Sequence, residues 1–253
     1  GNSDSSAYGD GGNCNVTALD IHGCIATYTP DPNLAYDTGG CDAYASSEEI
    51  AGYLRDLETD DSVRAVLLDI DSPGGAPQAA LEIEEAVKDT GKPTVALIRG
   101  YGDSAAYWVA TAAKTIVASP ESDIGSIGVT SSFTDNAKQN AELGITYHSL
   151  STGKFKDLGD PNKPFTEEEK AQIQKGLFTT FEHFIKTVSE NRGMPIERVR
   201  ELADGSSWLG EEALEKGLID KLGTYKDAIA EIEAEIGEKA VVCWPQYSGG
   251  EDY

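Results

Sequence analysis

Residues 64–75 read RAVLLDIDSPGG, and this stretch decides how the rest of the chain is parsed. Arg64–Ile70 is a short, almost wholly apolar run, without the alternation expected of a strand that has one wet face. Such a run belongs where both faces of a sheet are covered, as in a parallel strand under helices. It ends at Asp71-Ser72-Pro73-Gly74-Gly75, a turn composition, and a helical pattern follows from about Pro77 to Asp89. Strand, turn and helix in this order form the repeating unit of an α/β sheet.

Working outward, the same alternation continues. Upstream, Val16–Ile21 is a strand candidate that runs into the turn His22-Gly23, and residues 28–45 read as a surface loop with Pro30, Pro32 and Gly39-Gly40. Ser46 and Glu49 offer a capping box for a helix through about Leu57. Downstream come strand Thr94–Ile98, a glycine-containing turn, a helix starting near Ser104 and strand Thr115–Ala118. Strand Gly128–Ser131, helix Asn136–Leu143 and strand Thr146–Leu150 are expected next. The remainder is helical: Thr166–Asn191, with Thr166 and Glu169 as a second capping box, then Ile196–Ala203, Glu211–Lys216 and Lys226–Ile236. Residues 1–14 read as a flexible lead-in and 15–253 as one domain with a mainly parallel sheet.

Composition narrows the function classes. A net charge of −24 over 253 residues repels phosphates, so nucleic acid is not an expected partner. No run of 18 or more apolar residues is present, so these residues hold no transmembrane helix. The chain begins with Gly1 rather than Met, and we read it as a fragment or a processed form, which leaves room for an anchor or signal upstream of residue 1. Cys14, Cys24, Cys41 and Cys243 include no CxxC pair, so no zinc or other metal site is expected, and no cofactor. Disulfides would suit a compartment outside the cytosol; buried free thiols fit the spacing equally well.

Four segments have the residue types of a catalytic site. Gly100–Tyr107 places Ser104 at a strand-to-helix turn, which exposes a hydroxyl to the positive end of a helix; helix capping is the plainer use of such a serine. Gly74-Gly75 ends a buried strand, where bare backbone N–H groups can face an oxyanion; a tight turn needs the same residues. Ile124–Val129 brackets Ser126 with Gly125 and Gly128, and Gly153–Asp157 carries Lys154 and Lys156 in a charged loop. Charge and spacing alone do not choose between these two lysines.

In this order and at these separations, the four segments resemble signal peptide peptidase A, a serine–lysine peptidase family of the ClpP/crotonase superfamily. That family has an S-P-G-G strand end, an A-S-G-G-Y-Y nucleophile segment, a T-G-S-I-G-V segment and a G-x-x-K-D motif followed by T-x-E-E. Asp71–Gly75, Asp103–Trp108, Ile124–Val129, Gly153–Asp157 and Thr166–Glu169 match them. A terminal G-R-x-W-x-G-type block is matched by Gly205–Gly223, so the resemblance covers about Val16 to Gly223. It implies a ClpP/crotonase-like α/β fold of repeated ββα units with a helical C-terminal part. It also implies Ser104 as nucleophile, Lys156 as general base, Ser126 as the residue that orients the lysine, and Gly75 and Ala105 as oxyanion donors. Gly74, Ala76, Gly128 and Val129 are the implied substrate-binding positions. Two departures stand out: Ala105-Ala106 replaces the usual Gly-Gly, and Asp103 stands where a small residue is common.

The chemistry fits these residue types. A serine hydroxyl needs a base to take its proton, and none of His22, His148 and His183 has a family-like placement for that role. A lysine serves only when neutral, which means losing roughly three units from ~10.4, the size of shift that burial against apolar neighbours supplies. The resemblance implies extended hydrophobic peptides such as remnant signal peptides as substrates, a ring-shaped homo-oligomer, and a place on the extracytoplasmic face of a membrane. Three alternatives remain in view: a phage-type peptidase that processes capsid scaffold, a crotonase-like acyl-CoA enzyme, and a catalytically silent binding module on the same fold.

Overall fold

In a computed structural model, which describes residues 14–29 and 41–245, the apolar run at 64–70 leads into and fills the first half of a strand inside a parallel sheet. The first elements are β1 (Val16–Ala26), β2 (Tyr44–Ser46), α1 (Ser47–Glu58), β3 (Ala65–Gly75), α2 (Pro77–Asp89), β4 (Thr94–Asp103) and α3 (Ala105–Ala110). There follow β5 (Thr115–Ala118), β6 (Asp123–Gly125), α4 (Ala137–Glu142), α5 (Glu167–Arg192) and α6 (Ile196–Leu202). The chain continues through β7 (Ser207–Leu209), α7 (Gly210–Glu215), β8 (Lys221–Leu222), α8 (Tyr225–Ile236) and β9 (Val242–Cys243). Contacts divide it into two compact units, one made of residues up to Ile127 and from Ile185 onward, the other of Gly128–Phe184.

The first unit holds the sheet, in the order β2-β1-β3-β4-β5-β8, with every pair along it parallel. Ala65–Leu68 of β3 are fully buried, as a strand covered on both faces requires. One face, with Val16, Ala18, Leu67, Val95, Leu97 and Val117, packs on Ala228 and Ile232 of α8. Helix α1 buries Ile50, Leu54 and Leu57, and α2 buries Ala80, Ile83 and Val87, each set at the three-to-four spacing of an amphipathic helix. Every such Leu or Ile contributes about 1.5–3 kcal/mol by leaving water. Ser46 caps α1 through the Glu49 amide, as its sequence predicts.

The cysteines form two disulfides, Cys14–Cys243 and Cys24–Cys41, with Cα atoms 5.7 and 5.9 Å apart. The first ties the start of β1 to β9, its neighbour in the sheet, so both ends of the described chain are fastened at one place.

Strand β4 runs further than expected, through Gly100 and Gly102 to Asp103. Its first half pairs with β5 and its last three residues with β6. Gly102 is required there because a Cβ would lie 2.6 Å from the Ile98 side chain. The expected strand Gly128–Ser131 is absent: these residues have no ladder partner among the described residues, and β6 just before them pairs with β4 and β7. The expected strand Thr146–Leu150 is also absent. Its residues are exposed, Leu150 at 99%, and Tyr147 and Ser149 donate side-chain hydrogen bonds to Asp160 and Asp157. The lead-in expected over residues 1–14 falls, apart from Cys14, outside the described residues, as do positions 30–40 of the expected surface loop.

Within the second unit, Thr166 and Glu169 form the expected reciprocal capping box at the start of α5. The Thr166 amide donates to Glu169 Oε2 at 3.0 Å and the Glu169 amide to Thr166 Oγ1 at 3.2 Å. Phe133 and Phe165 meet edge-on at 4.4 Å.

Candidate active site

Ser104 stands between β4 and α3 at φ 52°, ψ −123°, and its side chain makes no capping bond. The capping use of this serine is therefore not realised, which leaves the hydroxyl uncommitted to its helix. A non-glycine residue in this region costs of order 1–3 kcal/mol and persists only where its surroundings over-determine it. Here they do. The Ser104 N–H donates to the Gly125 carbonyl at 2.8 Å, and its carbonyl accepts from the Trp108 amide at 3.0 Å. All six residues of α3 are buried, the Tyr107 hydroxyl donates to the Leu218 carbonyl at 2.8 Å, and Trp108 Nε1 donates to Glu84 at 2.8 Å. Burial pushes the Tyr107 phenol well above its ordinary range, so it is a neutral donor.

The paired glycines of β3 come against this turn. At φ 109°, Gly74 is so close to Ser104 that a Cβ would sit 2.8 Å from the Ser104 Cβ and 3.1 Å from the Ala105 nitrogen. A Cβ on Gly75 would run into the Ile25 carbonyl. The Gly74 amide donates to Ser72 Oγ at 3.1 Å and the Ala76 amide to the Ile25 carbonyl at 2.8 Å. Gly74, Gly75, Ser104 and Ala105 are thus brought together, with Ala76 following as the first turn of α2 begins.

Ser126 is the second residue of note, at φ 46°. Among the described residues it and Ser104 are the non-glycine positions with positive φ. Its N–H donates to the Ser206 carbonyl at 2.9 Å and its Oγ to the Gly205 carbonyl at 3.3 Å. Trp208 lies over Gly125, where a Cβ would meet the indole at 2.9 Å. The residues before β7 thus act as a support that the sequence reading did not assign. The sequence signal for them is the Gly205–Gly210 spacing within the block that matches the family resemblance.

Asp103, the unusual residue before Ser104, is partly buried. Its Oδ1 accepts from Ser207 Oγ at 2.8 Å. Burial raises its pKa above the ordinary carboxylate value, the Ser207 bond opposes this, and the Asp123 carboxylate adds to it.

In the second unit, Lys156 lies on an exposed turn, its N–H donating to the Gly153 carbonyl at 3.0 Å. Lys154 pairs with Glu168 at 2.7 Å. Lys163 is held by Asp157 at 2.9 Å and Glu169 at 2.6 Å, and these carboxylates push its pKa up to about 12. Lys156 has no ion-pair partner among the described residues, a distinction between it and Lys154 that spacing could not supply. The apolar burial expected around a lysine base is not provided by its own turn. Gly128 and Val129 make no amide hydrogen bond among the described residues.

A separate polar group lies on the sheet. His22 Nε2 is 3.2 Å from Asp69 and 3.9 Å from Asp20, and Arg99 donates to Asp69 at 3.2 Å. The hydrogen bond to Asp69 raises the His22 pKa despite burial. Arg99 already supplies a cation to the buried Asp69, so this group reads as an ion network and not as a triad around Ser104.

The sequence pattern of peptidase family S49 matches residues 86–239, more than half of the chain. A Methanocaldococcus jannaschii protein provisionally named as a protease is 40% identical over 184 residues, 71% of this chain and 58% of that one. Protease 4 of Salmonella typhi is 32% identical over 183 residues, 71% of this chain and 29% of its own. The chloroplastic serine protease SPPA of Arabidopsis thaliana is 31% identical over 188 residues, 73% and 28% respectively. The chain thus spans between roughly a quarter and three-fifths of these relatives. Among solved structures, a ClpP1 variant from Listeria monocytogenes superposes with a TM-score of 0.52 at 14% identity, over 83% of this chain and 93% of its own. A variant of the 1510-N membrane-bound stomatin-specific protease does so with 0.55 at 16% identity, over 93% and 99%. At these identities the structures speak for the fold alone, and it is ClpP/crotonase-like. With the fold and the family pattern in agreement, the chain belongs to peptidase family S49, the signal peptide peptidase A family.

Proposed function

We propose that the chain is a serine peptidase in which Ser104 is the nucleophile and Lys156 the general base, acting on extended hydrophobic peptides such as remnant signal peptides. The observation that carries the reading is the pair of strained serines, Ser104 and Ser126, joined through the Ser104 N–H to Gly125 carbonyl bond. Strain of this kind persists where a side chain must be aimed.

In the reaction, Ser104 Oγ attacks the peptide carbonyl carbon while its proton passes to the neutral Lys156 amine. The oxyanion is received by the Gly75 and Ala105 N–H groups. Two facts support these donors: the Ala76 amide is turned toward Ile25, so strand alternation turns the Gly75 amide to the opposite edge, and the Ala105 amide opens α3. The C–N bond then breaks, the amine leaves with the proton from Lys156, and water repeats the sequence on the acyl-enzyme. Ser126 suits the orienting role because its own O–H is directed at Gly205, which leaves its oxygen lone pairs to accept from an amine. The unengaged amides of Gly128 and Val129 suit a substrate backbone that adds as a strand.

The two disulfides support a site of action outside the cytosol. No helix among the described residues is long and apolar enough to cross a membrane. The exposed apolar side chains Leu143, Ile145, Leu150 and Phe178 support assembly into a ring of identical subunits, which would bury them. Labelling with a fluorophosphonate probe tests the core of the reading. Wild type should label, Ser104→Ala should not, and Lys156→Ala should label far more slowly. Undiminished labelling of Ser104→Ala would remove Ser104 as nucleophile.

A further inference from the structure

We propose that Asp103 is a positioning residue whose carboxylate clasps Ser207 and so fixes Ser104 and Ser126 relative to one another. The inference rests on the reading of Ser104 as the nucleophile. Asp103, Gly125 and Ser207 form one row across three strands, Asp103 opposite Gly125 and Gly125 opposite Ser207. Gly125 has no side chain to fill the row, and across it Ser207 Oγ donates to Asp103 Oδ1 at 2.8 Å.

One partner of the clasp is covalently adjacent to a strained serine, and the other lies beside the carbonyls that hold the second one by hydrogen bonds. Asp103 precedes Ser104 directly. Ser207 follows Ser206 and Gly205, whose carbonyls receive the Ser126 N–H and Oγ. The Ser104 N–H to Gly125 carbonyl bond closes the circuit. Breaking the clasp leaves β7 with its ladder to β6, but removes the side-chain hydrogen bond that, among the described residues, ties the nucleophile turn to the segment that holds Ser126.

The placement of the carboxylate supports this role. Asp103 has no cationic partner among the described residues, and Asp123 faces it as a second carboxylate. A half-buried charge in that company is disfavoured, so a turn that needed only a small residue would gain nothing from it. The Ser207 hydroxyl is the group that offsets its desolvation.

Four variants test the clasp: Asp103→Ala, Asp103→Asn, Ser207→Ala, and Asp103→Ala with Ser207→Ala. Asparagine keeps a side-chain oxygen that can accept from Ser207 and removes only the charge. Asp103→Ala and Ser207→Ala should each lower kcat and the rate of fluorophosphonate labelling by about tenfold, with KM unchanged, as expected for loss of one hydrogen bond to a charged group. The double variant should be no slower than either single one, because both remove the same interaction. Asp103→Asn should stay within about threefold of wild type. If Asp103→Asn is as slow as Asp103→Ala, or Ser207→Ala matches wild type, Asp103 acts through its charge and the clasp is overturned. Hydrogen exchange gives a readout independent of turnover: the Ser126 amide should exchange faster in Ser207→Ala and Asp103→Ala, and at the wild-type rate in Asp103→Asn. Unchanged exchange in Ser207→Ala would also overturn the proposal. Labelling of Ser104→Ala would instead defeat the nucleophile assignment, with the exchange result still deciding the clasp.

Discussion

The backbone around Ser104 and the turn that carries Lys156 are held by different physics. Near Ser104 the constraints are backbone hydrogen bonds, glycines with no room for a Cβ, and a helix whose six residues are all buried. Near Lys156 they are polar side-chain contacts: the exposed ones of Ser149 with Asp157, Tyr147 with Asp160 and Lys154 with Glu168, and the part-buried bridge of Lys163 to Asp157 and Glu169. Contacts of the first kind leave one conformation. Exposed ion pairs are worth about 0–1 kcal/mol each and weaken with salt. In the proposed roles, a nucleophile held at strained dihedrals needs the first kind of support, whereas a lysine base needs apolar burial, and Lys156 lies exposed on its turn. On the proposed roles, the aim of Ser104 comes from the backbone and packing around it, which the turn of Lys156 does not share.

The largest expected effect breaks the comparison at the lysine. A general base contributes about 10²–10⁴ in rate, so Lys156→Ala should lower kcat/KM on a peptide ester by on the order of 10³. Lys156→Arg should be no better, since guanidinium does not deprotonate. Lys154→Ala, which removes only an exposed pair with Glu168, should stay within about twofold. The reverse ranking would make Lys154 the base and return the free lysine of the turn to solvent.

On the other side, the rigid region should tolerate no added atom. Gly74→Ala puts a methyl 2.8 Å from the Ser104 Cβ, at a φ of 109° that alanine avoids. Displacing the glycine pair should cost about 10²–10³ in acylation rate, the scale of losing one oxyanion donor. The measurement is the second-order rate of phosphonylation, with far-UV circular dichroism to show that the sheet persists. Labelling at the wild-type rate would mean that the glycine pair serves only the turn.

The same contrast governs what the sequence discloses. Ala65–Leu68 announces its burial by composition, and Ser46 and Thr166 announce helix starts by spacing, because these are local facts. Ser104 was legible as a serine at a strand-to-helix turn, but not as a strained one, since its φ depends on Gly125 and Trp108. The support of Ser126 by Ser206 and Gly205 joins residues some 80 apart in the chain, as hydrogen bonds across a sheet do. Strands are expected at Gly128–Ser131 and Thr146–Leu150 by continuing the succession of strands and helices, and neither segment has a ladder partner among the described residues. Lys156 was found through resemblance. Its lack of an ion pair became visible only once Lys154 and Lys163 had their carboxylates.

Covalent fastening belongs to the first unit as well. Cys14 and Cys243, 229 residues apart in sequence, close β1 against β9, and the Cys14→Ser/Cys243→Ser pair should lose about 2–4 kcal/mol of stability. The three tryptophans, Trp108, Trp208 and Trp244, all lie in the first unit, so denaturant curves followed by tryptophan emission report it selectively. An unchanged midpoint would mean that the β1–β9 pairing holds the ends without the bond.

The smallest effect concerns the ion network on the sheet. The groups facing His22 are Asp69, Asp20 and Asp71, with Arg99 on the far oxygen of Asp69. Chiefly through the Asp69 hydrogen bond, its folded pKa lies above the ordinary 6.5. The folded state therefore binds a proton more tightly than the unfolded chain does. The stabilisation from this proton is fully present below pH 6.5 and is lost as pH rises through the folded value. His22→Gln should then lower the urea midpoint most near pH 5 and progressively less toward pH 9. Half exposure and added salt should both keep the difference small. A deficit that grows with pH would require a neutral His22 in the fold, held by packing alone. In that case Arg99 would be the sole cation balancing Asp69, and Arg99→Ala would have to show the loss of stability that His22→Gln lacks at low pH.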